Sequence, residues 1–147
     1  MPATQLLPTV GTVARTGVRR SDGQHVLVVE DNNDLREMVA EALEMDGYRV
    51  STAPNGRIAL EQVHVSRPHL IVLDLMMPVM TGWQLLEALR EVPELASVPV
   101  VIVSALEDAL PEGAVAFVRK PFRVETLLTT VAWASNGERS LPDELRE

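Results

Sequence analysis

The side chains of this chain best suited to chemistry sit at the ends of apolar runs. Glu30 and Asp31 follow directly on the run from His25 to Val29, Asp74 follows Leu70 to Leu73, Ser104 follows Val98 to Val103, and Lys120 comes shortly after Ala116 to Val118. An adjacent acidic pair offers oxygen ligands to a hard cation, and the same pair also makes a solvated turn or a helix start. Asp74 taken singly would cap the following loop, and Ser104 would satisfy local backbone groups. Lys120 stands apart because it is the only Lys in a chain whose 13 basic residues are otherwise all Arg. Where Arg is the default cation, one Lys beside a Pro suggests a site that wants a compact ammonium instead of a planar fork; the other reading is a chance surface Lys.

The segments around these residues alternate in period. The apolar runs have the length and abrupt ends of buried parallel strands. Between them Leu35, Met38, Val39, Ala42 and Leu43 recur at three and four residues, with Asn33 as the expected N-cap and Gly47 as the stop. The alternation continues with a strand over 49–53, a helix over 57–65, a helix from Trp83 to Glu91, and a last helix marked by Val124, Leu127, Leu128 and Val131. Five strands in alternation with helices predict an α/β fold with a doubly wound, five-stranded parallel sheet covered on both faces. Ligands of such sheets sit beyond the carboxyl ends of the strands, where all five polar residues fall.

Length and composition narrow the possibilities. A chain of 147 residues supports one core of ordinary size. The reading is a flexible N-terminal arm over 1–24, one domain over 25–134 and a polar C-terminal tail over 135–147. A net charge of −8, with no basic cluster beyond Arg19 and Arg20, argues against nucleic-acid binding. No apolar run reaches membrane-spanning length, so no membrane contact is expected and a cytoplasmic location is. The chain has no Cys, which removes disulfides and thiolate metal sites but leaves oxygen-bound cations.

Taken together, Val28-Val-Glu-Asp-Asn32, Asp74-Leu-Met-Met-Pro78, Thr81-Gly82, Val103-Ser-Ala105 and Lys120-Pro-Phe122 resemble the response-regulator receiver family, over about residues 25–134 and in the family's order of elements. The resemblance implies a flavodoxin-like receiver fold and a phospho-accepting role in a two-component system or phosphorelay. Asp74 would be the acceptor, and Glu30, Asp31, Asp74 and the backbone carbonyl of Met76 would hold Mg²⁺. Lys120 would pair with the phosphoryl group, the Ser104 hydroxyl would donate to it, and Phe117 would be the aromatic switch. The Lys120–Pro121 bond would be cis. The partners implied are a histidine kinase or histidine phosphotransfer protein and a downstream protein of unknown identity. Such a chain catalyses its own phosphorylation and slow dephosphorylation without being a conventional enzyme. Apart from the Met76 carbonyl, Met76, Met77, Met80 and Trp83 are read as structural.

The chain also departs from the family. Only 15 residues separate Ser104 from Lys120, and they include the breaker Pro111-Glu-Gly113 and a strand. Ala105 to Leu110 allows at most about one and a half helical turns. A shortened or missing fourth helix follows, with a loop or frayed turn over 106–113. Two other readings stay open: a receiver-like interaction module working without phosphate, and a flavodoxin-like nucleotide binder. The turn Asp31-Asn-Asn-Asp34 counts against the second, having no Gly and the wrong charge for a phosphate.

Overall fold

The structure, a computed structural model, describes residues 23–106 and 110–136. Most of the expected arm and tail therefore lies outside the described residues. Along the chain run β1 (His25–Val29), α1 (Asn33–Met45), β2 (Arg49–Ala53), α2 (Gly56–Val65), β3 (Leu70–Leu73), α3 (Gly82–Arg90), α4 (Pro93–Ala96), β4 (Val100–Ser104), β5 (Ala116–Arg119) and α5 (Val124–Ser135). The five strands form one parallel sheet in the order β2-β1-β3-β4-β5. Strand order reverses between β1 and β3, so the crevice of this sheet opens beyond their carboxyl ends.

Each strand's side chains alternate between two cores. Leu27, Val29, Ile71, Leu73 and Ile102 pack with Ala59 and Val63 of α2 and Leu85 and Leu89 of α3. Val26, Val28, Val72, Val101 and Val103 pack with Val39 and Leu43 of α1 and Leu127 and Val131 of α5. Burying a side chain of this size stabilises the fold by about 1.5–3 kcal/mol, so both faces of the sheet anchor the strand ends.

Local signals set the helix ends, with shifts from the sequence reading. The N-cap of α1 is Asn32, not Asn33: its Oδ1 accepts the Leu35 N–H at 2.8 Å, and Asn33 is already helical. Gly47 follows the end of α1 with φ +102, a conformation Gly adopts without strain. Helix α3 begins at Gly82, one residue before expectation, because Thr81 and Gln84 form a capping box. Strand β4 is shifted to Val100–Ser104, so Ser104 closes the strand. The single turn α4 went unread, although Pro93 is at a helix start, where Pro is favoured.

Between β4 and β5 no described residue is helical, in keeping with a shortened or missing helix there. The expected loop over 106–113 falls partly on 107–109, which lie outside the described residues. Pro111 and Ala114 close a turn at 3.1 Å, and Arg90 of α3 pairs with Glu112 at 3.2 Å, tying the turn to the neighbouring helix.

Candidate functional site

Parallel pairing delivers the acids to one place. Val29 and Leu73 are register partners, the Asp74 N–H donates to the Val29 carbonyl at 3.0 Å, and the Glu30 N–H donates to the Ala53 carbonyl at 3.1 Å. The residues that follow β1 and β3 are thereby side by side. Glu30, Asp31 and Asp74 each present a carboxylate oxygen within 4.8 Å of the others. Glu30 and Asp74 are buried whereas Asp31 is exposed, which leaves the cluster open on one side.

Lys120 enters from the end of β5. Its Nζ donates to Glu30 Oε1 at 3.1 Å and reaches Asp74 Oδ2 at 3.5 Å. Two further bonds orient the carboxylates: the Asn32 N–H donates to Glu30 Oε2 at 3.2 Å, and the Met76 N–H to Asp74 Oδ1 at 3.2 Å. Burial pushes the Asp74 carboxyl above its ordinary range, and repulsion from Asp31 adds to this, against the pull of the Met76 N–H and Lys120. Burial likewise raises Glu30, with Asp74 adding repulsion and the Asn32 N–H and Lys120 opposing it.

Three carboxylates against one ammonium leave a formal charge of −2 in this crevice, since −3 + 1 = −2. An all-oxygen donor set of that charge fits a hard divalent cation such as Mg²⁺. Glu30, Asp31 and Asp74 are placed to hold it. Met76 follows Asp74 by two residues, so its carbonyl lies on the same loop.

Ser104 is fully buried at the end of β4, where its Oγ accepts the Leu106 N–H at 3.3 Å and its carbonyl accepts the Lys120 N–H at 2.8 Å. That bond and the strand pairing of Ser104 with Arg119 set Ser104 and Lys120 on neighbouring strand ends. The Lys120–Pro121 peptide is cis. Phe117 is half-buried and packs against the core that holds Leu73 and Ile102. Met77 is buried and Met80 packs on the same core, whereas Met76 and Trp83 are 57% and 43% exposed.

The roles of three contributors escaped the sequence reading. A Cβ on Gly82 would lie 2.6 Å from the Asp74 carbonyl oxygen and 2.7 Å from Leu75 Cα, so α3 starts in direct contact with the Asp74 backbone. Val79 holds φ +70 in the same loop, an outlier for a β-branched residue. Arg36 donates from Nη1 to the Glu30 carbonyl at 2.8 Å and from Nη2 to Asn33 Oδ1. The Thr81-Gly82 pair was a visible signal for the first; for the other two no spacing rule would have served.

The family model described as response regulator receiver domain matches residues 26–132. The chain is 38% identical to the sensor histidine kinase TmoS of Ectopseudomonas mendocina over 86% of its length, and spans 14% of that protein. It is 35% identical to the transcriptional regulatory protein CseB of Streptomyces coelicolor, spanning 56% of it, and 39% identical to the rice two-component response regulator ORR3, spanning 81%. Among solved structures, the Vibrio cholerae chemotaxis protein CheY4 superposes with a TM-score of 0.70 at 34% identity, over 76% of this chain and 98% of that one. The receiver domain of a Pseudomonas aeruginosa sensor histidine kinase, with a magnesium ion coordinated in its active site cleft, gives a TM-score of 0.70 at 26% identity over 79% of this chain and 99% of that one.

Proposed function

Because the chain belongs to the response regulator receiver family, we propose that Asp74 is the phosphoryl acceptor of a site completed by Glu30, Asp31, Lys120 and Ser104. The domain is a phospho-accepting receiver of two-component signalling. The observation that carries the residue assignment is the convergence of three carboxylates within 4.8 Å, with the Lys120 ammonium on two of them.

The chemistry follows from the geometry. Phosphoryl transfer needs positioning and charge compensation more than covalent help. Asp74 Oδ1 is held by the Met76 N–H, which fixes the carboxylate plane, and Oδ2 faces Lys120. An Asp74 oxygen attacks phosphorus in line, and the bond from phosphorus to the donor imidazole nitrogen breaks. Its electron pair returns to the ring, and an acyl phosphate forms. Glu30, Asp31, Asp74 and the Met76 carbonyl would hold Mg²⁺, which would supply charge neutralisation at the phosphoryl group. Lys120 exchanges its carboxylate contacts for a phosphoryl oxygen. The Ser104 hydroxyl, which now accepts from Leu106, still has a proton to donate to another, so its rotation couples β4 to the phosphorylation state. Phe117 on the adjacent strand follows that movement through packing.

The donor is the phosphohistidine of a histidine kinase or histidine phosphotransfer protein, and output passes through contacts with a downstream protein. Slow hydrolysis of the acyl phosphate resets the site. No helix among the described residues is long and apolar enough to cross a membrane, and a site fed by ATP-derived phosphoryl groups belongs in the cytoplasm. A receiver-like module working without phosphate would have no need of this acidic and Lys set. Incubation with a small-molecule phosphodonor and Mg²⁺, followed by peptide mapping, tests the assignment. One acyl phosphate per chain, at Asp74, is the expected result; no labelling, or labelling elsewhere, overturns it.

A further inference from the structure

We propose that Arg36 is a positioning residue for the divalent cation, clamping the turn that carries Glu30 and Asp31; this rests on the reading of the acidic cluster as a cation site. Arg36 is half-buried in the first turn of α1, four residues after the N-cap Asn32. A cation there opposes the positive end of the helix dipole, so its placement is unfavourable for the helix alone. Its hydrogen bonds show what it is used for. Nη1 donates to the backbone carbonyl of Glu30 at 2.8 Å and Nη2 to Asn33 Oδ1, so the two arms of one planar fork grip both ends of the turn.

Among the described residues, that carbonyl has no strand partner to take it. The last register pairs of β1 are Val29 with Leu73 and Val29 with Ala53, and the chain turns immediately afterwards. Without Arg36 the Glu30–Asp31 peptide could rotate, which would swing both carboxylates relative to Asp74. The Asn32 N–H to Glu30 Oε2 bond at 3.2 Å would move with it, since it spans the same peptide. Arg36 thus acts on the site through the Glu30 backbone and touches no carboxylate oxygen in the bonds it makes.

The geometry yields a sign that distinguishes clamping from charge. If Arg36 mattered only as a nearby positive charge, removing it would tighten cation binding. A clamp predicts the reverse. Mg²⁺ demands a near-ideal octahedron and Ca²⁺ tolerates irregular ones, so a loosened turn should weaken Mg²⁺ more than Ca²⁺. General loss of stability would lower both together.

The experiment measures Mg²⁺ and Ca²⁺ affinities of the full chain by calorimetry, for the native protein, Arg36→Gln and Arg36→Lys. Supporting an outer-shell contact of this kind is worth about 10- to 100-fold in metal affinity. We expect at least a ~10-fold loss for Mg²⁺ in both variants and a smaller loss for Ca²⁺, since Lys keeps the charge but not the fork. Arg36→Lys also guards against misfolding of the Gln variant, and Asn33→Ala, which removes only one arm, should give a partial loss. Native or tighter Mg²⁺ binding in Arg36→Gln, or an equal loss for both ions, overturns the clamp alone. Failure of the native chain to bind Mg²⁺ overturns the cation reading and the clamp with it.

Discussion

The Lys120 ammonium lies 3.1 Å from Glu30 Oε1, joining the end of β5 to the end of β1 across the crevice. The ammonium is a compact donor on a stem that is 23% exposed, set against a Glu side chain that is 7% exposed. An Arg at this position keeps the charge but puts a longer planar fork where a point charge fits. Removing one donor aimed at developing charge costs about 10²- to 10³-fold in rate. We expect Lys120→Met to slow labelling by a phosphodonor by about that factor, and Lys120→Arg to behave closer to Met than to Lys. A native labelling rate in Lys120→Arg would demote Lys120 to a spectator.

Burial, with repulsion from Asp31 on Asp74 and from Asp74 on Glu30, raises the Asp74 and Glu30 pKa values, so this crevice is a stability defect that depends on pH. Below the ordinary values of 3.8 and 4.5 both carboxyls are protonated in folded and unfolded chains alike, and the penalty vanishes. As pH rises through the raised folded values the unfolded chain has already ionised, so stability falls until both groups are charged in the fold. His25, whose pKa burial lowers, works in the opposite direction, losing stability as pH falls. The comparison with Asp74→Asn cancels His25. In chelator the variant should melt higher than the native chain at pH ~8, with a gap that closes toward pH ~4. Mg²⁺ should reverse the order. A variant that melts lower in chelator at every pH would remove the repulsion from the account.

Much of this was visible in the sequence because buried parallel strands read as bare apolar runs whose polar terminators stand out. That placed Glu30, Asp31, Asp74 and Lys120 at one edge of the sheet before any contact was seen. Ser104 fell inside β4 instead of after it, since a hydroxyl ends a strand less clearly than a charge. Arg36 could not be read, because its acceptor is a backbone carbonyl that becomes available only once β1 has paired and the chain has turned. The positive φ of Val79 was hidden for a related reason: local preference argues against it, and the loop imposes it.

Gly82 lacks the Cβ that would sit 2.6 Å from the Asp74 carbonyl oxygen and 2.7 Å from Leu75 Cα. Both obstacles are backbone, so no side-chain rotation relieves them, and α3 would have to retreat. Overpacking of this kind costs about 1–3 kcal/mol. Gly82→Ala should therefore lower the melting temperature, by ~4 °C for each kcal/mol, and slow labelling because Asp74 shifts with its carbonyl. An Ala variant with native melting and labelling would show that the helix moves freely against the loop.

Val79 holds φ +70 while 73% exposed, so its side chain gains little packing in return for the conformation. Its neighbours explain why it stays there: the Met80 N–H donates to the Pro78 carbonyl at 2.7 Å, and the Met80 backbone oxygen lies against Gly56, where an added Cβ would approach to 2.9 Å. The loop is thus pinned on both sides of Val79. A β-branched residue held in the left-handed region costs about 1–3 kcal/mol, and Gly loses up to ~1 kcal/mol through the greater freedom of its unfolded chain. The difference favours Val79→Gly by about 1 kcal/mol. Asn, which tolerates this region, should fall between the two. Denaturant midpoints measured at constant slope for the Val, Asn and Gly chains should rise in that order, whereas a Gly variant less stable than the native chain would mean that the loop does not strain Val79.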